Sequence, residues 1–166
     1  MDSLKHKVTH ASPIKFVAGF TLLELIVGLS IAIILATIAV PSFQSMIAKY
    51  RAKNVATEVL SALLRTRSEA LNRNTKVSII PLSGEWAAGW KILDPKNPAV
   101  VIENHEALRS VSMTGPADVS FTNSGRIFGS TVPVFVISAI SGSTTLSQCI
   151  SIELSGRPYS KEGTSC

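Results

Sequence analysis

The sequence predicts an α+β protein in which a long N-terminal helix packs on an antiparallel β-sheet domain. Three observations carry that expectation. No charged side chain occurs between Leu25 and Phe43, a run that spans about 28 Å as helix, close to the hydrocarbon thickness of a bilayer. Beyond Gln44 the apolar positions Val55, Val59, Ala62, Thr66 and Ala70 recur at spacings of four and three among charged residues, the periodicity of an amphipathic helix. From Lys76 onward, short β-branched runs alternate with Gly, Pro, Ser and Asn, as strands joined by turns do.

Taken in order, residues 1–19 are a hydrophilic leader, basic at Lys5, Lys7 and Lys15. One continuous helix is expected from about Phe20 to Asn72. Its part 20–43 is the transmembrane and assembly half, and 44–73 is the amphipathic half that faces a soluble domain. Pro41 lies inside the apolar half, where its missing N–H and ring are expected to kink or loosen the helix. The Asn72-Arg73-Asn74 turn ends it. Residues 74–166 suffice for one small core. Candidate strands are 77–80, 90–93, 100–103, 111–113, 119–122, 132–138 and 149–154, read as antiparallel meanders with one face covering the helix.

Glu24 is the residue most in need of a chemical role. A carboxylate at the mouth of an apolar helix costs several kcal/mol unless it is neutralised, paired or able to reach the interface. An ordinary signal peptide is cut after its apolar core. Here the basic leader ends at Gly19, before that core, so cleavage there leaves the hydrophobic helix on the mature chain, beginning at Phe20.

At Gly19-Phe20-Thr21-Leu22-Leu23-Glu24-Leu25 the chain resembles the type IV pilin and pseudopilin superfamily. The resemblance implies a pilin-like fold, cleavage of the Gly19–Phe20 bond by a membrane prepilin peptidase, N-methylation of Phe20, and an assembly role for Glu24. Physically, the carboxylate can pair with the Phe20 ammonium of a neighbouring subunit, cancelling two charges as a filament forms. The alternative is a plain membrane anchor whose glutamate has no such role.

A second resemblance narrows the group. Trp86-Ala87-Ala88-Gly89-Trp90 with Ile92 and Asp94, then Phe121 to Arg126, then Ile152 to Pro158 with Ser155-Gly156-Arg157, look like the GspH/FimT minor pseudopilins and minor pilins. The tryptophans are read as core packing in a β-layer ahead of ligand stacking. Gly125 and Gly156 are read as positive-φ turn residues.

Cys149 and Cys166 are the two cysteines, and both fall in the part placed outside the cytoplasm. A disulfide between them would close a loop of about 18 residues and stabilise by roughly 3 kcal/mol. Free thiols are the other reading.

Catalysis finds no foothold in the sequence. His6 and His10 belong to the leader, and His105, read as a surface histidine, lacks Asp or Cys at metal-site spacing. A nucleophile elbow, a phosphate loop and a calcium loop are all missing from the sequence. Neither an enzyme nor a cofactor is expected. Loss of three Lys and one Asp with the leader lowers the formal net charge from +5 to about +3, too small to mark a nucleic-acid protein. Some FimT-like pilins bind DNA through a basic carboxy-terminal G-R-x-R pattern. Here Tyr159 replaces the second arginine, leaving Arg157, Tyr159 and Lys161 as candidate DNA contacts, or as a solvated turn closing the sheet.

The expected function is therefore a non-enzymatic minor pilin. It would lie in the bacterial inner membrane with a periplasmic carboxy-terminal domain, and assemble with other pilins or pseudopilins into a type IV pilus as a priming or tip subunit. The alternatives are a GspH-like pseudopilin of type II secretion, a DNA-binding pilin of natural transformation, and an uncleaved single-pass anchored binding domain.

Overall fold

The computed structural model describes residues 19–166. Apart from Gly19, the expected leader lies outside the described residues, as do His6 and His10. Two compact units divide between Thr37 and Ile38.

Helix α1 runs Leu22–Asn72 and continues through Pro41. Thr21 caps it: the Glu24 amide donates to Thr21 Oγ1 at 3.2 Å, satisfying one of the donors that a helix start orphans, and the Leu25 amide opens the helical ladder by donating to the Thr21 carbonyl at 3.1 Å. Every residue from 19 to 44 is exposed. Within this stretch Ser30 and Thr37 turn their hydroxyls back onto the carbonyls of Ile26 and Ile34, so that these two donors do not require water.

Further along α1 the pattern changes to the expected buried stripe. Ala48, Ala52, Val55, Ala56, Val59, Ala62, Leu63, Thr66 and Ala70 are buried. Five of these nine are alanine, which lets the helix backbone lie close to the sheets. The Thr66 hydroxyl donates to the Ala62 carbonyl at 2.7 Å, so burial leaves it satisfied. The helix ends where Thr75 N–H reaches back to the Ala70 carbonyl and Asn74 takes φ 51°, a left-handed stop.

Eight strands follow: β1 Val77–Leu82, β2 Glu85–Leu93, β3 Val101–His105, β4 Ser112–Thr114, β5 Val119–Phe121, β6 Val134–Ser141, β7 Thr144–Ile152 and β8 Pro158–Glu162. They form two four-stranded sheets, ordered β3-β2-β1-β5 and β4-β6-β7-β8, with every pairing antiparallel. Residues Ile127 and Phe128 stitch the sheets together. The Phe128 amide donates to the Ser120 carbonyl of β5, and the Ile127 amide donates to the Leu154 carbonyl just beyond β7.

Three features depart from the sequence reading. β2 starts five residues earlier than Trp90, because Trp86 is buried and anchors the weak strand formers Ala87, Ala88 and Gly89. Gly89 holds φ 102° with the His105 carbonyl where a Cβ would stand, a close approach that glycine alone permits. β7 begins at Thr144, paired residue by residue with β6 from Ser141. β8 is an edge strand where a turn and tail were expected, and Pro158 is tolerated as its first residue.

The core gathers Leu63 and Val59 of α1, Ile79, Trp90, Ile92 and Phe121 of one sheet, and Phe135, Ile137, Ile150 and Ile152 of the other. Trp86 meets Phe135 edge-on at 4.8 Å and donates its indole N–H to the Pro116 carbonyl at 2.6 Å, so both tryptophans pack in the core. Cys149 and Cys166 form a disulfide, with Cα atoms 5.5 Å apart, that holds the chain end onto β7.

Candidate functional site

Three regions hold the chemistry-bearing residues. The first is the start of α1. Among the described residues, Gly19 has nothing within 4 Å of a would-be Cβ, and Phe20 is 84% exposed. Glu24 is exposed in the first helical turn, where the helix dipole favours a carboxylate. Thr21 and Glu24 stand in the T-x-x-E spacing of a helix start, and that signal identifies Thr21 as a cap. The reading of the apolar run passed over it.

The second region is a pair of turns that sequence reading saw singly. Thr122-Asn123-Ser124-Gly125-Arg126 and Glu153-Leu154-Ser155-Gly156-Arg157 share the last three residue types and the same hydrogen bonds. In each, the glycine amide donates to the first residue's carbonyl, and the first residue's amide donates to the arginine carbonyl. Gly125 and Gly156 take φ 73° and 85°, the left-handed position that such a bulged loop assigns to glycine. The turns pack against each other, since a Cβ on Gly156 would strike the Gly125 carbonyl. Arg67 of α1 clasps both: its Nε donates to the Gly125 carbonyl at 2.9 Å, and Nη2 donates to the Ser155 carbonyl at 3.5 Å. The neighbouring Arg126 and Arg157 are exposed. Sequence spacing gave no hint of Arg67, whose partners lie 58 and 88 positions away.

Along β8, Tyr159 pairs with Ser151 and Lys161 with Cys149. Alternation sets these two side chains on the face of that sheet away from Ile150 and the core, and both are exposed. The interleaved Ser160 and Glu162 turn the other way: Ser160 Oγ donates to Gln148 Oε1 at 3.4 Å, and Glu162 meets Lys49 at 2.9 Å. That lysine, through its hydrogen bond and charge, holds the Glu162 carboxyl below the usual carboxylate range. Arg157 precedes the strand in its turn. The three DNA candidates thus lie along one edge, with Arg126 brought near Arg157 by the paired turns.

The third region surrounds His105, which is a half-buried brace instead of a free surface histidine. Its ring stacks on Trp90 with centroids 3.8 Å apart and planes 13° apart. Nδ1 lies 2.8 Å from the Glu106 carbonyl and Nε2 3.3 Å from Glu58 Oε2. The brace ties β3 to α1. Among the described residues, no group of three or more His, Cys, Asp or Glu side chains is arranged to hold a metal.

At the end of α1, Arg73 bridges Glu69 and Asp94, each at 2.7 Å. Asp94 accepts the amides of Lys96 and Asn97. These amide bonds, with Arg73, hold its carboxyl below the usual range.

Comparison with known proteins agrees with this architecture. The profile of the family described as type II transport protein GspH matches residues 55–156, from the buried stripe of α1 to Gly156 in the second turn. Two crystal forms of the type IV minor pilin FimU of Pseudomonas aeruginosa strain PAO1 share the fold with a TM-score of 0.57 and 24% identity. Each covers 69% of this chain, and the match takes in 94% of one FimU chain and 98% of the other. No curated protein matches. The long helix packed on antiparallel sheets is the fold of FimU, and with the family profile spanning more than half of its length the chain belongs to the GspH family.

Proposed function

We propose that the chain is a non-enzymatic minor pilin, anchored in the bacterial inner membrane and drawn by its helix into a type IV pilus as a priming or tip subunit. One observation carries this reading. An 18-residue window of α1 has mean hydropathy 2.6 and is 0% buried. A helix so apolar, with no cover among the described residues, is a surface that lipid and then neighbouring helices can take up.

In this reading a prepilin peptidase removes residues 1–19 at the Gly19–Phe20 bond, and the new Phe20 amine is methylated. Residues 20–43 span the membrane or enter the filament core. Residues 44–73 pack on the periplasmic domain of residues 74–166. Glu24 pairs with the Phe20 ammonium of the next subunit, which cancels two charges in an apolar setting.

The family's description favours a second reading, a GspH-like pseudopilin of type II secretion. Loss of pili on deletion supports the first, and loss of protein export supports the second. DNA binding along Arg157, Tyr159 and Lys161 is a finer possibility, to which Arg126 now adds a second arginine.

The intact mass of protein taken from membranes tests the core of the proposal. A mass of residues 20–166 plus one methyl group supports it, whereas retention of the leader leaves an uncleaved anchored domain. Glu24→Ala should still insert in the membrane but should be depleted from sheared filaments; undiminished incorporation would remove the pairing mechanism.

A further inference from the structure

Away from the paired turns and the His105 brace, a cavity of about 780 Å³ lies beside β5, within the size range of small-ligand sites. Its floor belongs to the face of β1 and β5 that is turned from the core. Val77, Ile79, Val119 and Phe121 are buried in that core, so alternation sends Lys76, Ser78, Asp118 and Ser120 to the opposite side. Residues 128–134 form the opposing wall, and Ser120 is only 6% exposed.

The hydroxyls on this floor run in one direction. Ser78 and Ser120 are cross-strand partners with their Oγ atoms 2.7 Å apart, and Ser120 Oγ donates to Asp118 Oδ2 at 2.9 Å. A hydroxyl has one proton to give, so Ser78 donates to Ser120, and the relay ends on the Asp118 carboxylate as acceptor. This fixes an exposed anion at one end of the floor. At the other end stands Lys76, whose Nζ lies 4.6 Å from the centroid of the Phe128 ring; the ring holds the ammonium at the wall without cancelling its charge. Neither Lys76 nor Asp118 forms an ion pair among the described residues. The register explains why. Val77 pairs with Phe121 and Ile79 with Val119, which sets Asp118 opposite Ile80, four residues or about 13 Å along the strands from Lys76.

Two unpaired charges of opposite sign in one cavity call for a ligand that carries both. A free amino acid is too short, its two charges being separated by a single Cα. Three residues extend about 10 Å, which spans most of the gap and leaves a hydrogen bond for each end. We propose that the cavity binds a short peptide with both ends free, its carboxylate on Lys76 and its ammonium on Asp118. Such contacts are charge-assisted at both ends and fix length as well as direction. Between them, Phe128 and Val132, 61% and 43% exposed, offer an apolar wall to the peptide's side chains. The terminus of a folded protein brings one charge and leaves the other unpaired, so the ligand class is the free peptide. The site goes beyond the reading of the chain as a filament subunit and holds for a pilus or a pseudopilus alike.

Full-length chain in detergent micelles, titrated calorimetrically with trialanine at low salt, tests it. Trialanine should bind, and acetylating its amine or amidating its carboxylate should each weaken binding about tenfold, the loss of one charge-assisted hydrogen bond. Alanine itself should not bind at the same concentrations. Lys76→Met should weaken trialanine binding about tenfold and erase the preference for the free carboxylate while keeping that for the free amine. Asp118→Asn should do the reverse. Retention of one preference in each variant is an outcome that a misfolded variant cannot give. The proposal is overturned if trialanine fails to bind at millimolar concentration, if the blocked peptides bind as well as the free one, or if only one end matters, as for a chain terminus. It is overturned too if both variants bind trialanine with unchanged affinity.

Discussion

The two halves of α1 have the same backbone conformation for different physical reasons. From Leu22 to Gln44 every side chain is exposed, and the helix is sustained by apolar continuity, its Thr21 cap and hydroxyls folded back on the chain. From Ala48 to Ala70 it is sustained by burial, with nine side chains removed from solvent. Most helical stability in proteins comes from packing of an amphipathic face, and the second half obeys that rule. The first half has no buried face among the described residues. Secondary structure alone is therefore a poor guide to what a helix does; which atoms cover it is the better one.

Truncating each half gives the largest contrast. Leu63 is 0% exposed, and Leu63→Ala should cost about 2–5 kcal/mol of stability in the soluble unit. Leu29, 60% exposed, should cost that unit less than about 0.5 kcal/mol as alanine. Chemical denaturation of the full chain in detergent measures both, and equal losses would erase the distinction between the halves.

Next in size is the disulfide. Replacing Cys149 and Cys166 by serine should lower stability by about 3 kcal/mol, with no effect on membrane insertion, and a melting curve with and without reductant reads the difference. Smaller again is Arg67→Ala, expected to cost about 1–3 kcal/mol by leaving the paired turns without their shared donor. Arg67→Lys should recover only part of the loss, because an ammonium lacks the planar fork that reaches the Gly125 and Ser155 carbonyls together. Amide exchange should rise at Thr122–Arg126 and Glu153–Arg157 together; protection lost in only one turn would mean that the clasp does not couple them.

The smallest effect is acid lability of the Lys49–Glu162 pair, which is exposed. Its carboxyl titrates lower in the folded chain than in the unfolded one. The stabilisation is therefore complete above the ordinary carboxylate range, about pH 4, and is lost as pH falls through the lowered folded value. Lys49→Ala should flatten that part of the stability profile between pH 5 and 2; an unchanged profile would assign the acid response to other carboxylates.

Both halves of α1 were legible in the sequence because each follows a periodicity that neighbours in the chain create. The run without charge between Leu25 and Phe43 and the stripe Val55, Val59, Ala62, Thr66 and Ala70 need nothing distant to be recognised. Several strands were legible for the same reason, among them Val77 to Ile80 and Val119 to Phe121, where β-branched residues lie between turn formers. β8 was hidden: Pro158, Ser160 and Glu162 carry little strand propensity, and the segment becomes a strand through its partner β7. The division into two sheets was hidden as well, since strand order depends on which edges meet and not on where strands lie in the chain.

At the candidate sites the same boundary holds. Chain-local chemistry was readable at the turns, where Gly125 and Gly156 take positive φ as expected. The clasp of Arg67 on both turns, the nearness of Arg126 to Arg157, and the stack of His105 on Trp90 beside Glu58 depend on residues 15 to 88 positions apart. Sequence by itself determined the apolar helix and the turn chemistry, because each is set by covalent neighbours. Folding decided which arginine holds the turns and which histidine braces β3 against α1. Those features are relations between surfaces, and no surface exists until the core has closed.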